Sequence, residues 1–213
     1  MSHAQRPPRD GRPVMPTIGV LLAMVLLVAS VGRVRGAAVP SGPWPVSGDL
    51  VVAEVVTGGA SASDEWGELF DRGSAPVDLG GLELLYVSAT GGSVSQKLEW
   101  SGTTLRPGRS LLLANAAGAW ASIADATWSG GLAAGGGTVV LRVAGGEVID
   151  TLSWGTAANA WVEGTPGDAP DAGESLERLP DGDARNGRDT NDNRADTWVQ
   201  ALPIPDARST NPD

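Results

Sequence analysis

The stretch Gly135–Gly155, GGGTVVLRVAGGEVIDTLSWG, decides the fold class. Two runs rich in β-branched and aliphatic residues, TVVLRVA (138–144) and EVIDTLSW (147–154), flank Gly145 and Gly146. Glycine accepts the positive φ that tight hairpin turns require, so the stretch reads as two antiparallel strands joined by a glycine turn. With Ala144-Gly145 at the turn centre, Arg142 is expected to face Glu147 as an exposed pair. Asp150 then shares a face with Val148 and Leu152. A carboxylate on an apolar face needs a hydrogen-bonded partner. Asp150 is therefore expected in a buried ion pair or as a backbone acceptor, ahead of any catalytic role.

The same grammar extends outward. Gly58-Gly59, Gly80-Gly81, Gly91-Gly92, Pro107-Gly108 and Gly130-Gly131 punctuate short apolar runs: DLVVAEVV (49–56), LELLYVS (82–88) and SLLLAN (110–115), with weaker candidates at EWGELFD (65–71) and QKLEWSG (96–102). Strands of this length at this spacing predict an all-β sandwich or barrel. No segment keeps a 3.6-residue apolar period long enough for a core helix.

The N-terminal forty residues read differently. Arg6, Arg9 and Arg12 precede an uncharged run from Thr17 to Ser30, and small residues follow. This is the layout of an export signal, with cleavage expected after Gly36 or Ala38. The run is short for a membrane span, which needs about 20 apolar residues; an uncleaved membrane anchor is the alternative. The expected organisation is a signal segment 1–38, a linker 39–47 and one domain over 48–211. Cleavage would remove His3, the only histidine, and the chain has no cysteine. Histidine-dependent triads, cysteine nucleophiles, His/Cys zinc sites, disulfides and lipoprotein anchors are then excluded. From Ala37 onward 10 Arg+Lys stand against 24 Asp+Glu, 10 − 24 = −14. Such a surface repels nucleic acid and anionic lipid.

In order, LVVAEVV, GELFDRGSAPVDLGGLELLYVS, LRPGRSLLLAN, GGGTVVLRVAGGEVIDTLSWG, GESLERL, DTNDNRADTW and LPIPDARSTN make the chain resemble the lamin-tail domain in its bacterial, secreted form. The resemblance covers about residues 48–211. Two positions depart from it: Asp71 stands where the family usually has Asn, and Ala53 where Asn is common before Glu54. The resemblance implies an immunoglobulin-like β-sandwich of about seven to nine strands, without enzyme activity, serving as a binding or structural module. The filament role of eukaryotic relatives is not implied, because there is no coiled-coil rod.

Three constellations compete for function. The stretch Gly173–Trp198, GESLERLPDGDARNGRDTNDNRADTW, is crowded with Asp, Asn and Arg. Asp189, Asn191, Asn193 and Asp196 are candidate calcium ligands. The EF-hand register fails from either Asp181 or Asp189, and Arg185, Arg188 and Arg194 would repel a cation. Asx-turns and Arg–carboxylate pairing are the expected roles, and no resident cofactor is expected beyond that calcium option. Trp100, Trp128, Trp154 and Trp198 are expected at strand ends, in the core or at the sandwich edge. Trp120 and Trp161 lie in Gly/Ala-rich loops and are the candidate ligand contacts, able to stack on a sugar ring or anchor a partner, although plugging a loop is the plainer role. Among carboxylates, Glu54, Glu65, Glu68, Glu83 and Glu99 show no spacing that singles out a catalytic pair. The expectation is an exported, non-enzymatic module, secreted or at the cell surface, with an envelope or extracellular protein or glycan as partner and no nucleic acid. A carbohydrate-binding or calcium-dependent adhesive module is the alternative.

Overall fold

The computed structural model describes residues 44–181 and 186–205, together with Met1. The expected signal segment otherwise lies outside the described residues, as do residues 39–43 of the expected linker and the domain's last residues, 206–211. Twelve strands form among the described residues. They are β1 (Leu50–Val56), β2 (Trp66–Asp71), β3 (Val77–Asp78), β4 (Leu82–Ser88), β5 (Val94–Glu99), β6 (Thr104–Leu105), β7 (Ser110–Asn115), β8 (Ala126–Trp128), β9 (Gly136–Val143), β10 (Val148–Gly155), β11 (Ser175–Arg178) and β12 (Thr197–Gln200). A 3₁₀ turn, Ala119–Ser122, and one helical turn, α1 (Asn193–Asp196), complete the described elements. Nine strands have four residues or more, and the remaining three are short.

Six strands make one sheet in the order β12-β11-β1-β2-β7-β8, and four make a second in the order β10-β9-β4-β5. β3 and β6 pair separately, and β7 with β8 is the parallel pair. The sheets face each other across one core, where Leu50, Val52, Val55, Leu69, Leu111 and Leu176 meet Leu84, Tyr86, Val139, Leu141, Leu152 and Trp154. The fold is an all-β, immunoglobulin-like sandwich.

The second sheet is also covered on its outer face. There Leu85, Val87 and Val140 pack under Trp44 and Trp161. Strands buried on both faces have no solvent side to mark with polar residues. That is why LELLYVS and TVVLRVA read as unbroken apolar runs. Trp44 and Ser47, placed by the sequence in a linker, are buried against the domain.

The hairpin forms with its register shifted from the expected one. Gly145 takes φ 65° and Gly146 N donates to Val143 O, so the turn is centred on Ala144-Gly145. Arg142 pairs with Val148 rather than Glu147, and a bulge between Val148 and Asp150 then sets Asp150 opposite Leu141. The Arg142 side chain turns to β4, where its Nε donates to Glu83 Oε1 at 2.7 Å. Gly155 closes the hairpin at φ 57°, with its Cα facing Gly135 O and Ala169. A side chain there would be strained and would collide with Gly135 O. Gly155→Ala is expected to lower stability by roughly 2 kcal/mol, read as a shift of the urea midpoint at unchanged slope.

Candidate functional site: the buried charge cluster around Arg178

β11 inserts between β1 and β12, and its last residue, Arg178, turns inward with no exposed surface. The guanidinium reaches the gap between the first sheet and the outer edge of β10, the end strand of the second sheet. Its Nε donates to Val52 O at 3.0 Å, Nη1 to Arg188 O at 2.6 Å, and Nη2 to Asp150 Oδ1 at 2.7 Å and Thr151 O at 3.1 Å. Three more carboxylates surround it: Glu163 at 3.7 Å, Asp189 at 3.6 Å and Asp196 at 3.9 Å. All four acids are buried. Arg188, about half exposed, adds a second cation against Asp196 at 3.3 Å.

Each carboxylate oxygen of this cluster accepts from the protein itself. Asp150 Oδ2 takes Val52 N at 2.5 Å, which binds β10 to β1 across the sandwich. Glu163 Oε1 takes Trp44 Nε1 at 2.6 Å and Thr151 N at 3.2 Å, and Oε2 takes Asn193 Nδ2 at 3.0 Å. Asp189 takes Ser47 N at 2.6 Å and Asn191 N at 3.1 Å. Asp196 Oδ2 takes Thr190 N at 2.6 Å and Oδ1 takes its hydroxyl at 2.8 Å. For Asp150, Glu163 and Arg178 burial is the first influence, and it disfavours ionisation. It drives Asp150 far above the usual carboxylate range, against the pull of Arg178 and with reinforcement from Glu163 and Asp189. Burial pushes Glu163 to about 7, again opposed by Arg178 and reinforced by Asp189. Burial also pulls Arg178 down, but its four carboxylates more than reverse this, and the guanidinium remains charged.

Asp150, Glu163 and Asp189 each place an oxygen within 4.8 Å of the others, a spacing that could hold a metal ion. The cation among them is the Arg178 guanidinium. The four residues read from sequence as calcium ligands divide accordingly. Asp189 and Asp196 face the guanidinium. Asn193 bridges Ser153 N, Thr151 O and Glu163, and Asn191 donates to Trp44 O at 2.8 Å. They do not present a shared set of open oxygens.

Asp150 does acquire the ion pair and backbone donor expected of it. Glu163 and Trp44 were missed, since nothing local in WVEG or PWP marks a buried partner. Of the candidate ligand contacts, Trp161 is only 4% exposed, and its loop is tucked inward by Asn159, whose Oδ1 accepts Trp161 N at 2.9 Å. It is not an exposed loop residue. Trp120 is half-buried against Trp66, ring centres 5.6 Å apart. The carboxylates that strand pairing sets opposite each other, Glu54 with Glu68 and Glu83 with Glu99, are engaged as well. Gln96 Nε2 bridges Glu83 and Glu99 at 2.8 and 3.0 Å.

The fold and this self-contained cluster define a β-sandwich module of the immunoglobulin-like class. The family model of the lamin tail domain matches residues 44–156, just over half of the chain, and the chain belongs to that family. It is a non-enzymatic, immunoglobulin-like domain family. The match is shorter than the 48–211 read from sequence, and β11, α1 and β12 lie beyond it. No curated protein matches the chain.

Proposed function

We propose that this protein is an exported, non-enzymatic β-sandwich that binds or scaffolds a partner in the envelope or outside the cell. The observation that carries this reading is the Arg178 cluster. The most concentrated set of titratable groups among the described residues is engaged in holding the chain together, with no carboxylate oxygen left open for a substrate. With His3 in the expected signal segment and no cysteine, carboxylates are the remaining route to hydrolysis. Purified protein is expected to turn over none of a panel of glycosides and phosphoesters. Turnover abolished by a carboxylate-to-amide substitution would overturn the reading. Export is tested by intact mass of the protein recovered outside the cell, expected to begin near residue 37–39.

A carbohydrate contact is a second reading, favoured by one observation. Trp120 and Trp66 line an open groove of about 410 Å³ with Val56, Leu202 and Ile204. The half-buried Trp120 indole in an open groove suits the apolar face of a sugar ring, whereas Trp66, 1% exposed, backs it. On a glycan array, this reading expects retention of a defined sugar that Trp120→Ala reduces at least about tenfold, the loss of roughly 1.4 kcal/mol of contact. Uniform background across the array removes it.

A further inference from the structure

We propose that Asp49 and Asp71 form a binding site for a hard divalent cation of the calcium class, separate from the Arg178 cluster. Asp71 ends β2 and is 0% exposed. Its Oδ1 accepts Gly73 N at 2.8 Å, whereas its Oδ2 is buried and has no hydrogen-bond partner. Buried polar atoms are nearly always paired, so this oxygen needs an explanation. The donors around it point elsewhere. Asp71 N donates to Arg109 O at 3.0 Å, Arg72 N to Asp49 O at 2.7 Å, and Gly108 N to Asp71 O at 2.8 Å. The Arg72 guanidinium is held by Gly187 O and, at 3.2 Å, by Asp181.

The charged group acting on Asp71 is another acid. Leu50 pairs with Asp71, which brings the preceding Asp49 beside Arg72 and Gly73. Asp49 Oδ1 packs so closely on Gly73 that a Cβ there would lie 2.5 Å from it. Both carboxylates therefore converge on one glycine, one of them through its N–H. Burial first, and the charge of Asp49 second, push the Asp71 carboxyl up. This is the same unmet demand for positive charge, seen from the proton's side. An amide at position 71 would supply a donor; the aspartate supplies a ligand.

Access and hydration are available on the Asp49 side. Asp49 is exposed and lines a solvent-open groove of about 370 Å³, with Asp78 and Glu147 on its walls and no Lys or Arg lining it. Calcium takes six to eight oxygens in irregular arrangements, so two carboxylates can be completed by water from such a groove. Magnesium demands stricter geometry and gives up its waters reluctantly. Two carboxylate ligands place the affinity in the range of extracellular modules, a Kd of about 0.1–1 mM.

The test is calorimetry and thermal unfolding of the full chain with CaCl2, against NaCl at matched ionic strength. One calcium per chain is expected, with a melting temperature raised by about 3–5 °C at 10 mM. Asp71→Asn should abolish the calcium response while its calcium-free melting temperature stays equal to the parent's or rises. Asp49→Asn should weaken binding at least about tenfold, and it decides the matter if Asp71→Asn fails to fold. Absence of binding by the parent chain overturns the proposal, and so does an undiminished response in Asp71→Asn. A response kept in Asp71→Asn but lost in Glu163→Gln would place the ion at the Arg178 cluster and overturn it too.

Discussion

Arg178→Ala is expected to lower the melting temperature by roughly 10–15 °C, corresponding to about 3–5 kcal/mol. The side chain makes four hydrogen bonds to three strands or their loops, and its charge is the one fully buried cation facing Asp150, Glu163, Asp189 and Asp196. Truncation leaves those acids without it, which is the expensive way to break a buried ion pair. The loss should be larger at pH 8 than at pH 5, because protonation relieves the stranded carboxylates. Arg178→Lys should be intermediate: it restores charge but not the planar fork that reaches Val52 O, Thr151 O and Arg188 O together. Differential scanning calorimetry at the two pH values checks both points. A change under about 1 kcal/mol, the range of an exposed pair, would show that the cluster is not structural.

Glu163 sets the second large effect, a dependence of stability on pH. Its folded-state pKa, about 7, lies above its ordinary value of 4.5. The folded protein therefore holds a proton that the unfolded chain releases between those values. The stabilisation is fully present below about pH 4.5 and is lost as pH rises through about 7, reaching about 3 kcal/mol by pH 8. Asp150, raised in the same direction, adds to this slope. Glu83 and Asp64, both lowered, act oppositely and only at the acid end. Glu163→Gln should flatten the decline between pH 5 and pH 8 in urea titrations. It keeps an oxygen for Trp44 Nε1 while removing the titrating proton. An equal decline in parent and variant would assign the slope elsewhere.

Seven of the strands were legible because glycine pairs and a Pro-Gly bracket their apolar runs. The five others lacked such a signal. β3, β6 and β8 are two or three residues long, and β11 and β12 are written as SLER and TWVQ within a polar stretch. What makes SLER a strand is its position, with Leu176 in the core and Arg178 in the gap beside β10. Asp150 could be recognised as needing a partner from its own face alone. Its partner could not be named, because Arg178 meets it only after β11 lies against β1. Trp161 takes the plainer of its two expected roles: Asn159 folds the Gly/Ala-rich loop over a sheet face and the indole plugs it, a placement that nothing within the loop's own sequence marks.

The Arg178 cluster also joins segments far apart in the chain. Trp44 and Ser47 enter it before the first strand; Asp189, Asn193 and Asp196 enter it just ahead of the last. The family match ends at residue 156, yet the buried network of ion pairs and hydrogen bonds does not. A polypeptide stopped there would keep Asp150 and Val52 but lack the guanidinium, Glu163 and the two strands that continue the first sheet beyond β1. Native-state hydrogen exchange should accordingly find β10, β11 and the Trp44 segment opening together, as one foldon.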